Sequence, residues 1–506
     1  MERISHGTFL LDSDQPTPLQ PAALDPNVVA CPPTTNFHYL FPCLQCNPAD
    51  RLPDKDCKGR PMAETLISLG NAMSDRAPSA HPDLLDSAIP SVYTYFGQFI
   101  THEVVFEVTT KDKKLGPDTV PLDKKDIPDL QNARTTLVDL DSVYGPMLDN
   151  HGQCFRVQQQ GDEMILGIAG NGDKYAGFDV QRQIPTPYTA LIGDRRNDSN
   201  LITSQMHLAF LRAHNELIKQ GKSFPEAQKL LRQHFQWLVV FDYLPRVVDG
   251  GVRDSILNGD FDVFESAWSR SFMPVEFSAA AFRFAHSMPR SIYNYNDSHE
   301  QAKLSELFLP KLKYRRVLEE WIIDWSHFVE GGPNAARLID PRLVQPLFSL
   351  IDLQGQPVVN SKNQVISLGA LDLLRGYLLG LPTGQAVARH LGEPPVSKDD
   401  IEDAAGRIVQ DQTAAAQKAI LKDSGLSKNT PLWFYILAEA AVQKGGACLG
   451  RVGSKIVAGV LIELVRRSTD SILRETNWRP SLGDGTFDLP QLFKFAGVLP
   501  IPIKKP

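Results

Sequence analysis

Tyr95-Phe96-Gly97-Gln98-Phe99-Ile100-Thr101-His102-Glu103 places an amide and an imidazole four residues apart in an apolar setting. On a helix, positions i and i+4 share a face, so Gln98 and His102 point the same way. Phe99, Ile100, Val104 and Val105 make the surroundings apolar. An imidazole beside an amide in such a pocket suits proton exchange with a small polar molecule. The same pattern also describes a core histidine satisfied by a neighbour. The rest of the chain decides between the two.

The chain has 506 residues, 42% of them hydrophobic and 22% charged, which is ordinary globular composition with enough length for a large core. A net charge of −7 without a basic run argues against a nucleic-acid partner. The apolar run Ile456 to Ile462 stops at Glu463 and is too short to cross a bilayer, so it reads as a buried helix. The start, Met1-Glu2-Arg3-Ile4-Ser5-His6-Gly7, has no apolar segment of the kind a secretory signal needs. The default compartment is therefore cytoplasmic, with secretion by another route left open. Cys31, Cys43, Cys46 and Cys57 cluster, with Cys43 and Cys46 in a CxxC, while Cys154 and Cys448 stand alone. Free thiols are the first reading of the cluster. A zinc site, or two disulfides in an oxidising compartment, stay open.

Residues 1–90 are rich in Pro, Asp and Asn and read as a wrapping arm with short helices. Residues 91–106 form the first strong helix. Residues 107–135 are charged and loop-like, as in Thr110-Lys111-Asp112-Lys113-Lys114, and 146–192 read as irregular with short hairpins. Leu201, Ile202, Met206, Ala209, Phe210, Ala213 and Leu217 fall on one face and predict a helix from Leu201 to Lys219. Pro225 to Val248 predicts another, with Gly250-Gly251 beyond its end. Val275 to Met288, Glu319 to Val329, Ala370 to Leu379, Ala404 to Lys422, Pro431 to Lys444 and Gly453 to Ile472 also read as helices, with Gly425 as a stop. The chain is mainly α.

Four separated pieces then align. They are Gln98-Phe99-Ile100-Thr101-His102-Glu103, Leu137-Val138-Asp139-Leu140-Asp141-Ser142-Val143-Tyr144-Gly145, Gly193-Asp194-Arg195-Arg196-Asn197-Asp198-Ser199 leading into Gln205 to Glu216, and Ala281-Phe282-Arg283-Phe284-Ala285-His286-Ser287. In type, spacing and order they resemble the animal-type haem peroxidases of the peroxidase–cyclooxygenase superfamily, especially bacterial members, from about residue 90 to about 475. The resemblance implies one large helical haem peroxidase domain over 91–506 with few short β-hairpins. It implies a peroxidase that reduces hydrogen peroxide while oxidising a small organic or (pseudo)halide reductant. His286 becomes the proximal ligand to haem iron. His102 becomes the distal base, taking a proton from hydrogen peroxide and returning it to the leaving oxygen. Arg196 becomes a fixed positive charge beside the developing anion, and Gln98 orients water or a small anion. His207 and His214, seven apart on one helix, are assigned to structure: His207 to packing, His214 to a polar contact.

Departures from the family pattern sharpen the expectation. Arg283 stands where cyclooxygenases carry a radical-forming tyrosine; an arginine there suits a haem propionate, as does Arg375. Asp372 occupies the position where the family commonly has asparagine bonded to the proximal histidine. An ionised carboxylate there makes the ligand more electron-donating and lowers the iron's reduction potential. Thr101 and Ser199 replace the carboxylates that esterify haem in mammalian members, which implies non-covalent haem b, although Asp198 lies one residue from the second position. Glu103 stands for the usual aspartate, and Ala285 for the usual glycine. The resemblance also implies Ca²⁺ held by Glu103, Thr135, the Leu137 carbonyl, Asp139 and Asp141. The alternatives are a haem oxidase or dioxygenase acting on a lipid or natural-product intermediate, and a haem-bearing adhesion or matrix protein. Oligomeric state is not legible.

Overall fold

A computed structural model describes residues 28–29, 35–75, 82–109, 115–148, 154–155, 157, 159–170, 173–183, 190–264, 272–307, 316–349, 359, 365–483 and 486–500. Cys31 and the charged stretch Thr110 to Lys114 lie outside the described residues. Nine described helices have nine residues or more: α1 Met62–Met73, α2 Val92–Val104, α3 Leu201–Lys219, α4 Phe224–Trp237, α5 Gly250–Asn258, α6 Leu368–Leu378, α7 Gln412–Ser424, α8 Leu432–Lys444 and α9 Arg451–Arg467. The strands are two to five residues long and pair into two- and three-stranded patches. The fold is thus mainly α, as the periodicity implies. Among the described residues no helix is long and apolar enough to cross a membrane.

α2 is the central helix. Nearly every residue from Val92 to Val104 is buried, so it presents no solvent face. A helix apolar on all sides must be enclosed by others. Phe96 and Phe99 meet Phe235 of α4, and Phe99 stacks on Phe210 of α3 at 4.9 Å. Gly97 allows the closest approach: a Cβ there would lie 2.5 Å from the Tyr243 hydroxyl oxygen. The N-terminal region joins the same core. Thr35–His38 pairs in parallel with Phe272–Pro274, and Asp86–Pro90 pairs antiparallel with Ala335–Arg337. Helix α1 lies against α6, with Gly70 facing the backbone of Gly369 and Ala370.

Four expected helices differ, each for a local reason. Val275 to Met288 breaks at Ala280 (φ −137°, ψ −71°), leaving a short helix Val275–Ala279 and a 3-10 turn Ala281–Ser287. Pro225 to Val248 gives way to a π-turn at Leu238–Tyr243, and Gly250-Gly251 opens α5 instead of closing a helix, because the Asp249 side chain accepts from Val252 N at 3.0 Å. Glu319 to Val329 forms only two 3-10 turns, since Asn296 Nδ2 donates to the carbonyls of Glu320 (2.9 Å) and Ile322 (2.8 Å) that a helix would use. Ala404 to Lys422 is interrupted where Arg342 takes the carbonyls of Ala405 (3.1 Å) and Val409 (3.3 Å); the helix restarts at Asp411 and ends on Gly425 at φ +77°. Leu201–Lys219 agrees with its expected bounds residue for residue.

The α1–α6 contact is testable. A Cβ on Gly70 would lie 2.2 Å from Ala370 N, which is backbone and cannot yield. Gly70→Ala is expected to lower stability by about 1–3 kcal/mol or more, the usual cost of overpacking, read as a fall in the thermal unfolding midpoint.

Candidate active site

A cleft of about 650 Å³, with its open mouth included, lies between α2 and the 3-10 turn Ala281–Ser287. Gln98, Thr101 and Tyr95 form one wall, Arg283 and His286 the other, and Phe282, Pro289, Leu304 and Leu347 make the lining mainly apolar.

The 3-10 turn explains the second wall. Residues three apart align on such a turn, so Arg283 and His286 reach the same partner. His286 Nδ1 lies 2.5 Å from Asp372 Oδ2, and Arg283 Nη1 hydrogen-bonds Asp372 Oδ1. Asp372 is fully buried on α6. Burial pushes its carboxyl up, but the attraction of His286 and Arg283 outweighs this and holds it below the usual range. With Nδ1 engaged, Nε2 is the His286 nitrogen left to bind a metal. Arg283 also donates to the Ser278 carbonyl at 3.1 Å. Its carboxylate partner in this structure is Asp372, where the sequence resemblance had assigned it a propionate.

Behind the α2 wall sits a second buried network. His102 Nδ1 lies 2.8 Å from Asn197 Oδ1. An amide oxygen only accepts, so this contact makes Nδ1 the donor and leaves Nε2 unprotonated. Nε2 is buried with no hydrogen-bond partner among the described residues. Burial, and then the nearby Arg196, lower the His102 pKa to about 3, so the ring is neutral. Asn197 Nδ2 in turn meets His207 Nδ1 at 3.1 Å. His207 is thus packed inward but also polar-bonded, while His214 sits between the Tyr144 hydroxyl (2.9 Å) and the Asp162 carbonyl (3.0 Å).

Arg196 lies on the 3-10 turn Arg195–Asp198 that leads into α3. Its guanidinium donates to the carbonyls of Val105 (2.7 Å) and His102 (2.8 Å) and pairs with Asp194. Arg134 pairs with the same Asp194 carboxylate and donates to the His102 carbonyl at 3.1 Å. Burial raises the Asp194 carboxyl, and the two guanidinium groups more than reverse it, holding it far below the carboxylate range. Neither His102 nor Arg196 is part of the cleft lining; both stand one layer behind Gln98 and Thr101. Gln98 is fixed by Ser199 (3.4 Å) and Asn200 (3.1 Å). Sequence reasoning quoted Asp194 and Asn197 without giving them roles and passed over Arg134. The signal available was an Asp and an Asn flanking an Arg assigned to a buried site, each of which needs a partner there.

The remaining expected residues are placed as follows. Arg375 is buried, with Nη1 3.5 Å from Glu107. Asp198 is committed to a two-pronged pair with Arg182 at 2.8 and 2.9 Å. Glu103 accepts from the backbone N–H groups of Asp141 (2.7 Å) and Ser142 (2.9 Å), and the Thr135 hydroxyl donates to Asp141 at 2.6 Å. The Asp139 carbonyl, two residues from that of Leu137, accepts from Arg232 Nε at 2.6 Å. Among the described residues no three or more His, Cys, Asp or Glu side chains gather into a metal-binding group. The five expected calcium donors are therefore neighbours along two segments, and not an assembled shell. Cys43, Cys46 and Cys57 are free and exposed.

Comparison with known proteins bears on the fold and the family. Peroxidase A from Dictyostelium discoideum superposes with a TM-score of 0.55 at 16% identity, covering 91% of this chain and 93% of that one. The Oryza sativa fatty acid alpha-dioxygenase superposes with a TM-score of 0.56 at 13% identity, covering 80% and 72%. At such identities these likenesses concern the fold. A peroxidase-like protein from Margaritifera margaritifera is 23% identical across 40% of this chain, and the match spans about a third (32%) of that relative's length. Residues 121–464 match the family described as animal haem peroxidase, a span that includes Arg196, Arg283, His286 and Asp372 and begins after α2. With well over half of its length inside that span, the chain belongs to the animal haem peroxidase family.

Proposed function

We propose that this protein is a haem-dependent peroxidase, reducing hydrogen peroxide while it oxidises a small organic or (pseudo)halide reductant. The observation that carries the reading is His286: one ring nitrogen is locked on buried Asp372 and the other is left for a metal, on the wall of a mainly apolar cleft. Haem bound there supplies the one- and two-electron chemistry. The protein's own groups supply the proton handling. His102 is neutral, its tautomer is set by Asn197, and its Nε2 is unpartnered. In this reading Nε2, which lies one layer behind the cleft lining in this structure, reaches the cleft to accept a proton from hydrogen peroxide and return it to the departing oxygen. Arg196 and Arg134 hold the His102 carbonyl, so they position the base, and Arg196 brings positive charge close to it. Arg283, which lines the cleft, and Arg375, three residues after Asp372 on α6, are the cations this reading offers for propionate contact.

A second reading has one observation in its favour: the mainly apolar lining of the cleft suits a lipid or natural-product substrate for a haem oxidase or dioxygenase. Arg283 opposes the cyclooxygenase route, since an arginine bound to Asp372 forms no radical. In a guaiacol assay with hydrogen peroxide, wild type is expected to turn over and His102→Ala to lose about 10²–10⁴-fold in rate. Full activity in His102→Ala would remove the distal assignment, and substrate-dependent O₂ uptake without peroxide would favour the second reading.

The haem in this reading is non-covalent haem b. Thr101 bonds the Gly97 carbonyl at 2.9 Å, Ser199 has no carboxylate, and Asp198 is held by Arg182. Acid–organic extraction is expected to separate the haem from the protein; haem remaining on the polypeptide would refute this.

Calcium belongs to the same reading. Asp139 Oδ1 is buried without a hydrogen-bond partner among the described residues. Burial and the neighbouring Asp141 raise the Glu103 carboxyl to about 7. A divalent cation relieves both, with Thr135 and the Leu137 carbonyl as neutral donors. Chelation is expected to lower the unfolding midpoint and weaken the Soret band, and an unchanged midpoint and band would remove calcium from the account.

A further inference from the structure

Four oxidisable rings run outward from the cleft. Tyr95 lines the cleft wall on α2. Its hydroxyl donates to the Tyr293 hydroxyl at 3.0 Å, with ring centroids 6.0 Å apart. Tyr293 lies 6.2 Å from Tyr295, and Tyr295 lies 5.8 Å from Trp321. Each step falls within the spacing of packed aromatic pairs, about 4.5–7 Å between centroids. Tyr95, Tyr293 and Tyr295 are buried, whereas Trp321 is partly exposed and sits beside exposed Leu318, Glu319 and Glu320. The series therefore begins at the cleft and ends at the surface.

Packing alone does not account for the phenols. Where only bulk is needed the same region uses phenylalanine, as at Phe328, which stacks on Tyr293 at 5.9 Å. A buried hydroxyl carries a desolvation cost that a partner normally offsets. Tyr295 bears that cost with no partner among the described residues; the Tyr95 hydroxyl donates to Tyr293, whose oxygen also accepts from Arg290 N at 2.8 Å. What a tyrosine or tryptophan offers beyond phenylalanine at each position is a ring that loses an electron more readily.

We propose that Tyr95, Tyr293, Tyr295 and Trp321 form an electron-transfer chain through which a reductant too large for the cleft is oxidised at the Trp321 surface. This rests on the peroxidase reading, because the oxidant is haem that hydrogen peroxide has oxidised. Tyr95 gives one electron to that centre as its hydroxyl proton shifts along the hydrogen bond onto the Tyr293 oxygen. The Tyr95 radical takes a hydrogen atom from Tyr293 across the 3.0 Å contact, restoring Tyr95. Tyr293 is restored by an electron drawn through Tyr295 and Trp321 from the external reductant. Two such cycles deliver two electrons, and with two protons one hydrogen peroxide becomes two waters.

The test uses the holoenzyme with hydrogen peroxide and two reductants: guaiacol, which enters the cleft, and ferrocytochrome c, which cannot. Wild type is expected to oxidise both. Trp321→Phe and Tyr295→Phe are expected to keep guaiacol oxidation and lose about tenfold or more of ferrocytochrome c oxidation, and Trp321→Tyr to recover it. With peroxide and no reductant, electron paramagnetic resonance is expected to show an organic radical that changes in Trp321→Phe, and peptide mapping to find oxidation at Trp321. Ferrocytochrome c oxidation and radical signal both unchanged in Trp321→Phe would overturn the chain, as would wild type that oxidises guaiacol but not ferrocytochrome c. Wild type inert toward guaiacol would overturn the peroxidase reading and the chain together.

Discussion

One buried carboxylate holds the end of the central helix in place. Asp194 pairs with both Arg134 and Arg196, and these two arginines donate to the carbonyls of His102 and Val105 at the C-terminus of α2. Those carbonyls have no partner within the helix. All three charged side chains are buried, so each depends on the others: breaking such a group by removing one member costs about 3–5 kcal/mol, because an uncompensated charge remains. The same turn that presents Arg196 also presents Asn197, which fixes His102. Position and protonation of the His102 imidazole are thus set by consecutive residues of one short turn. Its register follows from Asp194 capping Arg196 N at 2.9 Å.

The His286 side of the cleft repeats this logic with different groups. Asp372 is again a fully buried carboxylate shared between two nitrogen donors, here His286 and Arg283. The Asp194 group stands behind one wall of the cleft and Asp372 behind the other, and neither carboxylate is part of the lining. Charge is spent on orientation behind the walls, and the cleft itself stays mainly apolar. That division suits a site in which the protein positions groups and a bound cofactor supplies the redox chemistry.

The sequence made legible what depends on periodicity. The bounds of α3 follow from its apolar face, and Gly425 marks the end of α7 because only glycine readily adopts the left-handed conformation there. It misled where a distant side chain took backbone carbonyls. Asn296 and Arg342 prevent helices at 319–329 and 404–411, and neither competitor is near in sequence. The site shows the same limit. Gln98, His102, Arg196, Arg283, His286 and Asp372 were found as motif positions, but not that Arg283 faces Asp372, nor that Arg134 joins Arg196 from 62 positions away. Motifs name residue types; which carboxylate pairs with which cation is decided by burial in three dimensions.

The Asp372–Arg283 pair also links two departures that seem separate in the sequence. Asparagine at position 372 would be neutral and could bond His286 without a counter-charge. A buried aspartate needs a cation, and the 3-10 turn puts position 283 in line with His286 to supply one. Arg283 then withdraws part of the carboxylate's charge from His286. The electron donation expected from an ionised Asp372 is correspondingly weaker than an unshared aspartate would give. The same pairing occupies the position at which cyclooxygenases place their radical-forming tyrosine. If a tyrosine radical forms in this cleft, the ring available is therefore Tyr95 on the opposite wall, whose hydroxyl leads away from the cleft and toward Tyr293.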